Sequence, residues 1–250
     1  MRELWASNGS VRLELLEWRP TVEERLWGTP IVAVHGGIGR AQTWRDEGEA
    51  AAAGHLGDRA RMLGAFSRRG MGRSAAPSSG YALEDFVHDL EAAVEALGYP
   101  RFVLAGHSLG VPIAISYAMR EPTSLVGLVL GDYGPRYPAF GEKWMTEVEE
   151  RHRSLSWGEF DLDGARRMRA DSRDIDLSPD LASITCPVLV VTGDRGVSLT
   201  PQDLAAYERE LRDVRIVTIA GAGHMLSVDG RADAFHAALG AFVRQFDPAS

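Results

Sequence analysis

"RFVLAGHSLGVPIAISYAMR", residues 101–120, decides how the whole chain is read. An apolar run leads into Gly106-His107-Ser108-Leu109-Gly110, a G-x-S-x-G pattern, and a second apolar run follows. The first run reads as a buried strand and the second as a helix, so the pattern predicts a tight strand-to-helix turn. Such a turn brings neighbouring backbone close, which accounts for Gly106 and Gly110 on either side of the serine. It projects the hydroxyl out of the sheet and aims the N–H groups of the helix start at whatever that hydroxyl attacks. A lone G-x-S-x-G is weak in a chain with 27 glycines, because a serine at a helix start commonly does no more than cap it. Its surroundings give it weight.

Strand-like and helix-like segments alternate along the chain. "SVRLELLEW" (10–18) contains period-two alternation and predicts a half-exposed strand. "PIVAVHGG" (30–37) is a short run rich in β-branched residues that ends in glycines, as expected of a strand buried on both faces. "RMLGAFSRRGMGRS" (61–74) gives another short run and a glycine-rich turn. "YALEDFVHDLEAAVEALG" (81–98) spaces Leu83, Phe86, Val87, Leu90, Val94 and Leu97 by three and four residues, a helix closed by Gly98. Further strands are expected at 101–106, 125–132, 186–193 and 214–221. A last helix at 231–246 carries Phe235, Leu239, Phe242 and Phe246 on one face. This alternation implies an α/β fold, a mostly parallel sheet flanked by helices.

Residues 134–183 break the alternation. They show no strand pattern and are rich in charge, and "GEKWMTEVEERHRSL" and "DGARRMRADS" read as two modest helices. Fifty residues are too long for a connection and too short for an independent domain. The expected organisation is a core of residues 1–133 and 184–250, with 134–183 inserted after the sixth strand as a small helical cap over the carboxyl edge of the sheet.

Composition excludes several classes of function. The chain has 250 residues, 45% hydrophobic and 25% charged, with a formal net charge of −8 and no long block of like charge, so neither nucleic acid nor an anionic membrane is an expected partner. The single Cys186 excludes an internal disulfide framework and suits a reducing cytoplasm. The N-terminal stretch carries charges throughout and does not read as a signal peptide, and nowhere do 18 apolar residues run together.

A serine alcohol is a poor nucleophile until a base takes its proton, and that base must be oriented by a third group. Among seven histidines, His224 is the candidate base. It lies in "AGAGHMLSVDG" (220–230), a glycine-punctuated loop between the final strand and the final helix. A loop histidine on its own is more commonly a solvated side chain, and the pairing with Ser108 is what favours catalysis. His107 is expected to point away along the turn, packing or hydrogen bonding, and His35 to brace its loop.

Taken together, "HGG" (35–37), "FSRRGMGRS" (66–74), "GHSLG" (106–110), "CPVLVVTGD" (186–194) and "GAGHMLSVD" (221–229) resemble the α/β-hydrolase fold family over nearly the whole length. The resemblance implies that Gly37 and Leu109 supply the two oxyanion N–H groups, and a cap position that matches residues 134–183. Serine at the elbow separates the chain from haloalkane dehalogenases and epoxide hydrolases, which carry aspartate there.

The departure lies in the acid. Relatives commonly end the strand equivalent to "PVLVVTG" with G-x-x-D, and here the stretch is Gly193-Asp194-Arg195-Gly196, which puts glycine at the expected place. Two replacements are available: Asp132, at the end of the preceding strand, where some relatives carry the acid, and Asp194, two residues early, whose loop would have to bend. Asp132 is preferred. Relatives also usually carry aspartate where this chain has Ser67, a difference assigned to turn structure rather than chemistry.

Tyr133, Tyr137, Phe140, Trp144 and Met145, with Trp157 and Phe160 farther on and Trp44 after the oxyanion loop, are candidates to line an apolar pocket, although half of them would serve equally to glue the cap to the sheet. The arginines of "RRMR" (166–169) read as a solvated helix face. The expectation is a serine hydrolase, free of cofactor and metal, that cleaves an ester, thioester or lactone of a small, largely apolar molecule through an acyl-enzyme. The alternatives are carbon–carbon, amide or perhydrolase-type chemistry on the same residues, or a non-catalytic ligand-binding protein on this scaffold.

Overall fold

The computed structural model describes residues 1–23, 27–120, 122–154, 161–228 and 230–248. The short β-branched run of 30–37 forms β3 (Ile31–Val34), with every residue buried. It lies between β4 (Leu63–Phe66) and β5 (Phe102–His107), parallel to both. Parallel pairing continues through β6 (Leu125–Gly131), β9 (Val188–Gly193) and β10 (Val214–Ile219). On the other side, β1 (Arg2–Asn8) and β2 (Val11–Trp18) add antiparallel strands, giving the order β1-β2-β4-β3-β5-β6-β9-β10.

Helices cover both faces. On one lie α2 (Leu83–Leu97) and α3 (Gly110–Ala118), whose apolar residues share a core with Leu13, Val34 and Leu104. On the other lie α1 (Arg45–Ala53) and α7 (Ala232–Val243), packed with Ile31, Val103 and Leu189. The helix α2 buries Leu83, Phe86, Val87, Leu90 and Leu97, each large side chain stabilising the fold by roughly 1.5–3 kcal/mol, and it stops at Gly98, which takes the left-handed φ of 66°. A further helix, α6 (Pro201–Glu210), precedes β10 and starts with Thr200 accepting from the Asp203 N–H.

Two local expectations differ from the structure, and one strand was not expected. The strand read as half-exposed, β2, is buried everywhere except Arg12. Its two glutamates find partners from distant segments, which a local pattern cannot reveal. Glu17 meets Arg2 at 2.8 Å and accepts from the Tyr99 hydroxyl at 2.9 Å. Glu14 accepts from the Ser67 hydroxyl at 2.7 Å and from the Arg73 N–H at 3.1 Å. The strand β1 had no sequence reading, although Asn8-Gly9, with Gly9 at φ 56°, is a recognisable hairpin turn. Second, the insertion is not free of strands: β7 (Arg136–Tyr137) and β8 (Ile175–Asp176) pair antiparallel and close its base. Two-residue strands are too short to leave a period. Between them lie α4 (Glu142–Ser154) and α5 (Leu162–Asp171), which join through Met145, Val148 and Ala165 and pack against Ile38. The candidate pocket residues Trp157 and Phe160 lie outside the described residues.

A buried ion pair ties α2 to the loop after β4. Arg69 donates to both carboxylate oxygens of the fully buried Asp89, at 2.7 and 2.6 Å, and Asn8 donates to the same carboxylate at 2.9 Å. Removing one member of such a pair strands the other charge away from water. Asp89→Asn is expected to lower the unfolding free energy by about 3–5 kcal/mol, read from the midpoint of urea denaturation.

Candidate active site

The elbow expected at Ser108 forms at the carboxyl end of β5. Ser108 has φ 53° and Asp132, just past the end of β6, has φ 47°; among the described residues these are the non-glycine residues with positive φ. Such backbone costs a side-chain-bearing residue of order 1–2 kcal/mol and persists only where its surroundings enforce it. Here they do. The Ser108 N–H donates to Gly131 O at 2.9 Å and the Asp132 N–H to Val191 O at 2.8 Å, so each turn is pinned to the next strand. The flanking glycines permit the crowding: a Cβ on Gly106 would lie 2.6 Å from Gly110 O, and one on Gly110 would lie 2.4 Å from Val34 O.

The strand ends bring three distant side chains into line. Ser108 Oγ lies 2.9 Å from His224 Nε2, and His224 Nδ1 lies 2.7 Å from Asp132 Oδ2. Because a buried carboxylate sits at Nδ1, that nitrogen carries the proton and Nε2 is left to accept from the serine hydroxyl. Asp132 is fully buried and its carboxylate has a full set of donors. The Thr192 hydroxyl donates to Oδ1 at 2.7 Å, and the Ser198 N–H donates to Oδ2 at 2.9 Å. Ser198 Oγ is 3.2 Å from His224 Nδ1. Asp194 is exposed and faces elsewhere: its Oδ1 accepts the Gly221 N–H at 2.8 Å, bracing the loop that holds His224 rather than touching the imidazole. That loop is held closely against β9, with the Asp194 and Arg195 N–H groups both donating to Ala222 O.

His107 lies behind this line. Its Nε2–H donates to His224 O at 2.8 Å, and the two rings lie 4.9 Å apart. Removal from water, and next the neighbouring His224 ring, bring its pKa down to about 4. His35, fully buried, uses both ring nitrogens: Nδ1–H donates to Gly36 O at 2.8 Å, and Nε2 accepts the Arg68 N–H at 3.0 Å. Burial, then the Arg68 charge, holds its pKa well below 6.5.

Ser108 opens on a groove of about 830 Å³ that Gly37, Leu109, His224, Tyr133 and Trp144 also line. The amides of Gly37 and Leu109 have no acceptor among the described residues. Phe140 stacks on Trp144 at 4.4 Å and carries the wall into the insertion. Exposed charged residues complete the groove, Arg45 and Arg151 together with Asp46 and Glu147. Two expected pocket walls are corrected. Trp44 is buried in the core beneath α1 and borders a separate cavity of about 40 Å³ behind His107. Tyr137 is buried under the insertion, edge-on to Phe140, because β7 turns it inward. Sequence reading missed Thr192 and Ser198, since nothing local marks a hydroxyl or an amide as the support of a carboxylate sixty residues away. Among the described residues no group of three or more His, Cys, Asp or Glu side chains is placed to hold a metal ion, and no helix is long and apolar enough to cross a membrane.

A sequence profile described as the alpha/beta hydrolase family matches residues 31–238. The chain belongs to the alpha/beta hydrolase family. It is 28% identical over 204 residues to N-formylmaleamate deformylase of Pseudomonas putida, covering 70% of this chain and 76% of that one. It is 24% identical over 199 residues to 2-(acetamidomethylene)succinate hydrolase of Mesorhizobium japonicum, covering 65% and 72%. Among solved structures, an esterase from Exiguobacterium antarcticum superposes with a TM-score of 0.79 at 17% identity, covering 97% of this chain and 98% of that one. With this family membership and hydrolases as its relatives, the chain is a hydrolytic enzyme.

Two measurements follow from this geometry. Ser108→Gly releases the left-handed strain that Ser108→Ala retains, so the glycine variant is expected to be about 1 kcal/mol more stable in thermal denaturation. Below pH 6.5 an unfolded chain protonates His35 and the folded chain does not, so the unfolded state binds more protons and stability falls as pH falls. Melting temperatures measured from pH 7 to pH 5 are expected to decline, and the decline is expected to be shallower in His35→Gln.

Proposed function

We propose that the chain is a serine hydrolase that cleaves a carboxylic ester, thioester or lactone of a small molecule through an acyl-enzyme. The observation that carries this reading is the hydrogen-bonded line from Ser108 Oγ through His224 to Asp132, at 2.9 and 2.7 Å. In it, His224 Nε2 takes the serine proton as Oγ attacks the carbonyl carbon. Asp132 holds the imidazole in the productive tautomer and stabilises the imidazolium that forms. The developing oxyanion is received by the N–H groups of Gly37 and Leu109, preorganised donors of the kind whose loss costs on the order of 10²–10³ in rate. The imidazolium then protonates the leaving group, and the same nitrogen activates the water that releases the acid. Residues 134–183 act as a cap over a core of 1–133 and 184–250, with Tyr133, Phe140 and Trp144 as the apolar wall for the acyl or alcohol part. Asp194 has no part in the proton relay.

A second reading keeps the residues and changes the bond. The curated relatives are named for a deformylase and for the hydrolysis of an acetamidomethylene succinate. The groove is bordered by Arg45 and Arg151, with Asp46 and Glu147 beside them, and the two arginines are suited to a carboxylate on the substrate. On that reading the substrate is a carboxylate-bearing amide, the nucleophile is unchanged, and His224 protonates a nitrogen leaving group.

Turnover of p-nitrophenyl acetate, butyrate and octanoate tests the first reading. Wild type is expected to hydrolyse at least one, Ser108→Ala to lose turnover, Asp132→Asn to fall by about 10⁴, and Asp194→Asn to stay within a few-fold of wild type. Equal rates in wild type and Ser108→Ala would refute it. Mono-p-nitrophenyl adipate, compared with p-nitrophenyl hexanoate, and the corresponding anilides separate the second reading: a preference for the carboxylate and measurable anilide cleavage would favour it.

A further inference from the structure

Arg68 has no task in the chemistry above, yet it stands where an apolar side chain would be cheaper. It is fully buried, and no carboxylate of the described residues comes within 4.0 Å of its guanidinium, whereas the adjacent Arg69 is paired with Asp89. Its surroundings are the Phe86 ring, 5.1 Å from the guanidinium carbon, and the Met168 sulfur, 4.0 Å from Nη1. Burial lowers its pKa to about 10, which leaves it protonated at neutral pH. A buried cation without a counterion is costly, so the contacts it does make are informative.

Those contacts converge on one short loop. Arg68 Nη2 donates to Gly36 O at 2.6 Å and to Gly37 O at 3.1 Å. The same Gly36 O accepts from His35 Nδ1, and His35 Nε2 accepts the Arg68 N–H, so His35, Gly36 and Arg68 close a ring of hydrogen bonds. The loop lies directly over the nucleophile: a Cβ on Gly36 would fall 2.9 Å from Ser108 Cβ. In a planar trans peptide the carbonyl of one residue and the N–H of the next point in opposite directions. Arg68 lines the buried side and is absent from the groove wall. Drawing the Gly36 carbonyl toward it therefore turns the Gly37 N–H the other way, into the groove beside Ser108.

We propose that Arg68 is a positioning residue for the oxyanion hole, which fixes the Gly36–Gly37 peptide from beneath and polarises it so that the Gly37 N–H meets the developing oxyanion as a strengthened donor. A cationic donor on the carbonyl makes the hydrogen bond charge-assisted and strengthens the donor at the far end of the same peptide. The assignment rests on Ser108 as nucleophile and the Gly37 amide as oxyanion donor.

The test compares wild type, Arg68→Met and Arg68→Lys on p-nitrophenyl butyrate and on its thionoester. Sulfur in place of the carbonyl oxygen makes poor use of an oxyanion hole, so the oxoester-to-thionoester rate ratio reads that hole, and a purely structural role would not move it. Functional sites are counted by fluorophosphonate labelling and folding is checked by circular dichroism. Per functional site, Arg68→Met is expected to lower kcat on the order of 10²-fold with KM nearly unchanged, and to lower the ratio with it. Arg68→Lys keeps the charge on a shorter side chain with a compact, non-planar head that holds the Gly36–Gly37 peptide less rigidly, and is expected to fall between. A folded Arg68→Met with wild-type kcat, or with reduced kcat and an unchanged ratio, would overturn the proposal. Should Arg68→Met fail to fold, an unchanged ratio in Arg68→Lys overturns it instead. If wild type is neither labelled at Ser108 nor active on either ester, the serine-hydrolase reading fails and leaves Arg68 no oxyanion to serve. Active wild type with indifferent Arg68 variants fails the Arg68 assignment alone.

Discussion

Parallel strands that stop in register set the conditions for everything at this site. Because β5, β6 and β9 end side by side, Ser108 and Asp132 project from adjacent strand ends, and the N–H of each is tied to the carbonyl of the next strand. Both residues sit in left-handed backbone. Neither local conformation is stable on its own account. The sheet holds them, and the core that buries β3, β5, β6 and β9 supplies the energy to do so.

In two places the chain puts a carboxylate on a different element from the one the family resemblance suggests. The loop after β9 has Gly196 where an acid is common; the acid meeting His224 comes from the end of β6, and the β9 segment contributes the Thr192 hydroxyl and Ser198 amide that hold it. The turn after β4 has Ser67 where aspartate is common, and the buried carboxylate there is Glu14 of β2, which accepts from Ser67 and from Arg73. In each case a carboxylate from another element meets the group concerned. Electrostatics constrains the place of the charge: a carboxylate at the right distance, desolvated and fully hydrogen-bonded, orients an imidazole or a turn whichever strand carries it.

The buried arginines divide by the same logic. Arg61 and Arg69 each meet a carboxylate in two-toothed fashion, Asp247 and Asp89, and these pairs join segments far apart in sequence. Arg68 meets backbone carbonyls rather than a carboxylate, on the loop over the nucleophile. Two adjacent residues of one type thus do different work, one closing the packing of α2 and the other setting the direction of a peptide.

Through the family resemblance the sequence offered two aspartates as the acid, with Asp132 preferred; by itself it determined the α/β alternation, the strand-to-helix turn at Ser108 and the loop position of His224. These are local properties: apolar periods of 2 and 3.6, glycines at crowded turns, and residue types at strand ends. The contact of Asp132, and not Asp194, with His224, the burial of Glu14 and Glu17, the inward turn of Tyr137 and Trp44, and the contacts of Thr192 and Ser198 came only with three dimensions. Each depends on what a side chain meets from another part of the chain. Asp132 and Asp194 both follow strands; they part because one strand end faces the imidazole and the other faces the Gly221 amide.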